Sequence, residues 1–132
     1  MKKHIILIIV ALCFTTVAFA NQHLSNIDDE EHAALVEQMN KMASEWITLE
    51  LLVSPDEKID TKAVRDSLTS MKRIAQRIKR ISNNPAFEGQ LSKLIDQMGE
   101  MKKHTRSEDG KLLNRDLEQM TNTCFRCHDS QL

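Results

Sequence analysis

The sequence predicts an all-α fold, an antiparallel up-down-up-down four-helix bundle, and three observations predict it. Its 132 residues include only 3 Gly and 2 Pro, too few for turn-rich β folds or for glycine-rich phosphate loops. Tyr is absent and aromatics make up 4%, while Leu, Met, Lys, Glu and Gln, the straight-chain helix formers, dominate. Apolar residues also recur at helical spacing in four separate segments. The hydrophobic share of 41% and charged share of 28% are ordinary for a globular chain. A formal net charge of −1 gives no electrostatic case for nucleic acid as a partner.

The first twenty residues fall outside the fold. Met1-Lys2-Lys3-His4 is a positive head, Ile5 to Phe14 an apolar run, and Ala18-Phe19-Ala20 supplies small residues where a signal peptidase reads. This pattern predicts a secretory signal peptide over residues 1–20, cleaved after Ala20. The run is shorter than the roughly 20 residues of a membrane span, and Thr15-Thr16 interrupts it, so no span is expected after cleavage. Leu12 before Cys13 is not the small residue that precedes a lipidated cysteine. The expected domain is 21–132, and the expected destination is the periplasm of a two-membrane bacterium. Removal takes Lys2 and Lys3 but no acidic residue, leaving 16 basic against 19 acidic residues. Cys13 leaves too, so the mature cysteines are Cys124 and Cys127.

Each helix follows from its stripe. After a short polar stretch at 21–28, with Asp28 or Asp29 as a cap, the first runs through Leu35, Met39, Met42, Trp46, Leu49 and Val53. Its spacings alternate 4 and 3, and His32 lies on the same stripe a turn earlier. Ser54-Pro55 ends it, because proline pushes the preceding residue out of helical geometry. The second stripe is Val64, Leu68, Met71, Ile74, Ile78 and Ile81, closed by Ser82-Asn83-Asn84-Pro85. Phe87, Leu91, Leu94, Met98 and Met101, widened by Ile95, make the third. The fourth, opened by Ser107-Glu108-Asp109-Gly110, is Leu113, Leu117, Met120, Cys124 and Cys127. Short connections make consecutive helices antiparallel neighbours. No stripe can be buried alone, and the mature chain suffices for one central core.

The fourth stripe ends in Cys124-Phe125-Arg126-Cys127-His128, which is C-x-x-C-H, the attachment signature of c-type haem. On a helix the three side chains fall within an arc of about 100°, so two thiols can meet two vinyl groups while the adjacent imidazole reaches the iron. Chance produces such a pentapeptide in roughly one chain of this length in a few thousand. A structural zinc site needs four ligands, and no second Cys pair exists. A thioredoxin-like pair opens a helix, where its thiol pKa is lowered. This pair closes one, where the dipole raises it. The expected cofactor is one covalent haem c, with Cys124 and Cys127 as thioethers and His128 as proximal iron ligand.

The opposite side of the iron decides between two functions. A filled sixth position suits electron transfer, and an open one binds nitric oxide or carbon monoxide. The first segment offers His32, Leu35, Val36 and Met39 on its inner side. Measured along straight helices, His128 lies about 28 Å from Asp109, Met39 about 21 Å from Val53 and His32 about 31 Å, so spacing alone leaves both ligands open.

At these residues the chain resembles the class II c-type cytochromes, the cytochrome c′ group, and the soluble periplasmic b-type cytochrome of the same four-helix fold. In both, the proximal histidine lies near the end of helix four, as His128 does. Residues 63–72 resemble helix two of the b-type relative. Met39 and Trp46, seven apart, resemble a distal residue and a tryptophan of some cytochromes c′. The likeness covers the mature chain in layout, with C-x-x-C-H its specific motif. The basic-aromatic tail common after that motif is missing, and the loops are shorter. The resemblance implies Met39 as distal iron ligand, with His32 the alternative.

The expected function is that of a periplasmic monohaem one-electron carrier with His/Met ligation, serving redox partner proteins as a monomer or homodimer. A five-coordinate binder of nitric oxide or carbon monoxide is the rival, and a haem-free interaction bundle a third reading. No Ser-His-Asp set, paired catalytic carboxylates or phosphate loop is visible in the sequence. Met42, Met71, Met98 and Met120 are expected in the core, and His23 and His104 at the surface. The acidic run Asp28 to Glu31 and the basic group Lys72, Arg73, Arg77, Lys79 and Arg80 complement their helix dipoles and are expected at one end of the bundle. There they either neutralise each other or offer charge to a partner.

Overall fold

The computed structural model describes residues 29–53, 58–82 and 84–129. The expected signal peptide and its cleavage site, the stretch 21–28 with His23, and Ser54-Pro55 lie outside the described residues. Four helices follow in order, α1 Asp29–Leu52, α2 Thr61–Ile81, α3 Pro85–His104 and α4 Gly110–Asp129, with a 3-10 turn Thr105–Ser107 before the last. Among the described residues there is no strand, and no helix is long and apolar enough to cross a membrane. The arrangement is all-helical and compatible with a four-helix bundle.

Local chemistry sets the helix starts. Asp60 caps α2, its side chain accepting from the Lys62 and Ala63 amides at 3.0 Å. Asn84 caps α3 by accepting from the Ala86 amide at 3.0 Å, with Pro85 in the first turn. Asp109 accepts from the Lys111 and Leu112 amides at 2.9 and 3.3 Å and so starts α4. Each such cap is worth about 1 kcal/mol. Just before it, Glu108 adopts the left-handed conformation (φ 53°) that ends the 3-10 turn.

The core lies within residues 33–132. Leu49, Val53, Val64, Leu68, Met71, Ile78, Met98, Met101, Leu113 and Met120 are at most 1% exposed. These are the residues of the four stripes. The stripe of α2 is broader than its apolar letters suggest, since Ser67 and Ala75 are buried as well. The backbones of α2 and α3, and of α3 and α4, pack closely. Side chains tie α1 to its neighbours. The Glu45 carboxylate accepts from the hydroxyls of Ser67 (3.0 Å) and Ser70 (2.7 Å) on α2, and Asn114 Nδ2 of α4 donates to the Val53 carbonyl at 3.1 Å. On α1 itself, Trp46 Nε1 donates to Glu50 at 2.9 Å.

Two expectations are corrected. Val36 does not face inward but is 45% exposed, and Ile47 and Leu51 stand out in solvent too, so α1 carries apolar residues on both faces, and its buried positions are Met42 and Leu49 of the 4-3 stripe with Gln38. His104 is not a free surface residue. It is half-buried, and its Nδ1 lies 2.7 Å from the Asp116 carboxylate on α4, a pairing whose partner is twelve residues away and leaves no local pattern.

Candidate functional site

The last two turns of α4 carry the cysteine motif, because the apolar stripe Leu113, Leu117, Met120 continues into Cys124 and Cys127 at the same spacing. Thr123 is buried beside them and donates its hydroxyl to the Gln119 carbonyl at 3.2 Å. Cys124 and Cys127 are half-buried and not joined in a disulfide. Phe125, Arg126 and His128 are exposed.

Cys124, Cys127 and His128 line one cavity together with Thr123, with Met39 and Met42 of α1, Ile78 of α2, and Phe87, Gln90, Leu91 and Leu94 of α3. The cavity itself measures about 40 Å³. Among the described residues, none of those lining it is Asp, Glu, Lys or Arg. Met39 therefore shares a cavity with the cysteine motif, and the two sulfur-bearing side chains Met39 and Met42 are what α1 contributes to it. His32 lies exposed in the first turn of α1.

The thiols are set against redox or nucleophilic use. Burial, with Cys127 close by, pushes Cys124 up to about 11, and burial also raises Cys127 above its ordinary value. A thiol poised for exchange has the opposite shift. The direction is the one expected at a helix C-terminus, although the cause is burial rather than the dipole. No group of three or more His, Cys, Asp or Glu side chains converges among the described residues, whereas a closed zinc site takes four.

The donor set fits a covalently attached haem. Two thiols three residues apart and the following imidazole lie at one side of an apolar space, and a thioether lies on another helix. That space is far smaller than a porphyrin, so seating one would require lining side chains to swing aside. Met39 and Met42 are unbranched and adaptable, and Phe87 is only half-buried. One lining atom has no partner: Gln90 Oε1 is buried and accepts no hydrogen bond. Gln90 gave no signal in the sequence, where it reads as one polar letter in an amphipathic helix.

Comparison with protein-family models, with curated proteins and with solved structures finds no match.

Proposed function

We propose that this chain is a periplasmic monohaem c-type cytochrome that carries single electrons, built as an antiparallel up-down-up-down bundle with the haem attached near the end of α4. One observation carries the reading: the cavity gathers Cys124, Cys127 and His128 with Met39. Its lining also supports the alternating directions, since it takes the middle of α1, the first half of α3 and the second half of α2 and α4. When bound, haem supplies an iron that cycles between ferrous and ferric states by one electron.

Cys124 and Cys127 would hold the porphyrin through thioethers, His128 would hold the iron through one ring nitrogen, and Met39 through its thioether sulfur. Methionine opposite histidine favours a higher reduction potential than a second histidine does. The leucines, Ile78 and Phe87 keep water from the space and disfavour the extra positive charge of the ferric state. The exposed Arg126 of α4 and the exposed Lys72, Arg73, Arg77 and Arg80 of α2 are the cations an acidic redox partner would meet.

A spectrum tests this. Exported from a host that assembles c-type cytochromes, the protein should carry covalent porphyrin, show sharp low-spin bands when reduced and change little with carbon monoxide. Met39→Ala should turn it high spin and carbon monoxide-responsive. A wild type already high spin establishes the gas binder instead, and a colourless one removes haem altogether. If Met39→Ala stays low spin at unchanged potential, Met39 is not the ligand.

A further inference from the structure

The unpartnered oxygen of Gln90 is the feature that the reading above leaves unused. A buried amide oxygen without a donor costs about 1–3 kcal/mol, so a native site supplies one. Gln97 Oε1 is unpartnered too, but that amide is placed by its Nε2, which donates to the Gln119 carbonyl at 3.4 Å. Gln90 has no such anchor, and it is a lining residue of the candidate site.

The register of α3 against α4 puts Gln90 at the level of the motif. His104 meets Asp116 and Gln97 meets Gln119, so positions on α4 rise as those on α3 fall. Two turns back from Gln97 is Gln90, and about two turns on from Gln119 is the stretch 124–128. The cavity's own lining joins the same residues. Few donors compete for the oxygen. The Thr123 hydroxyl is engaged by Gln119, and the thiols are weak donors that lose their protons on becoming thioethers. His128 is left. An imidazole that gives one nitrogen to iron carries its proton on the other, and that N–H is regularly held by an outer acceptor.

We propose that Gln90 is the positioning residue for His128, its Oε1 accepting the hydrogen bond of the imidazole nitrogen that faces away from the iron. This rests on the reading of His128 as proximal ligand. By holding the ring, Gln90 fixes the tautomer and ring plane, and by accepting the proton it makes the imidazole a stronger electron donor, favouring ferric iron.

Reduction potential and proton exchange in the purified holoprotein test it, neither of which a merely structural role would move in this pattern. Gln90→Leu keeps the volume and removes the acceptor. The ferric-to-ferrous balance should shift about tenfold toward ferrous, about 59 mV upward for a one-electron couple, and the His128 ring N–H should exchange faster with solvent by NMR. Gln90→Glu restores a stronger acceptor and should move the potential the other way. Should Gln90→Leu not fold, the downward shift in Gln90→Glu still decides. Attached haem with neither variant moving the potential overturns the role of Gln90 and leaves the cytochrome reading intact. A wild type without covalent porphyrin overturns both, and mass spectrometry separates the two failures.

Discussion

The two ends of the helical core differ in how they are closed. Where α3 turns into α4, Leu49, Val53, Val64, Leu68, Met101, Thr105 and Leu113 are at most 1% exposed. Asn114 clamps the end of α1, and His104 bonds to Asp116. At the other end the same four helices stop short of sealing. Met39, Phe87 and Cys124 are half-buried, Gln90 holds an unused acceptor, and space remains between them. One end is closed by side chains of all four helices, and the other keeps a cavity and an unpartnered buried oxygen. Stability should therefore be concentrated at the first end and chemistry at the second.

Truncation at each end gives the largest contrast. Met101→Ala, in the sealed end, should cost about 3 kcal/mol in urea denaturation of the unliganded chain, with an unchanged spectrum in the haem-loaded protein. His128→Ala should leave the unliganded stability within about 0.5 kcal/mol and abolish the low-spin spectrum. Comparable stability losses at both sites would erase the distinction.

Alkaline pH sharpens it next. Cys124 titrates near 11 in the folded chain against 9.0 ordinarily, so the folded state keeps its proton longer than the unfolded state. That stabilisation is whole below pH 9 and drains away as pH climbs toward 11, amounting to roughly 2 kcal/mol. The reduced, unliganded protein should lose this much across that window. With both sulfurs in thioethers neither thiol remains to titrate, and this part of the loss should vanish. A loss that persists in loaded protein would mean the thiols are not the attachment points.

The smallest effect lies between the ends. Gly99 is inside α3 with nothing within 4 Å of an added Cβ, so Gly99→Ala should raise stability by about 0.5–1 kcal/mol, read as a higher thermal midpoint with spectrum and potential untouched.

The sealed end was legible in the sequence because burial there follows periodicity. Val64, Leu68 and Met71, or Leu113, Leu117 and Met120, announce a core face by spacing alone. Asp60, Asn84 and Asp109 mark helix starts just as plainly. The site was half legible. C-x-x-C-H is a local pattern with one dominant chemistry, and Met39 lay on the inward stripe, though spacing could not choose it over His32. Gln90 was hidden because a single polar residue half-buried in an amphipathic helix looks solvated until its neighbours from other helices are known. The same non-local cause concealed Asp116 beneath His104 and Glu45 beneath Ser67 and Ser70.

Trp46, the chain's one tryptophan, sits two turns along α1 from Met39, its indole held by Glu50. If a porphyrin occupies the cavity as proposed, an indole two turns from Met39 would transfer its excitation instead of emitting. The bare polypeptide should fluoresce and the pigmented one stay dark, so light from this single ring would follow assembly, and later any loosening of α1, without a label.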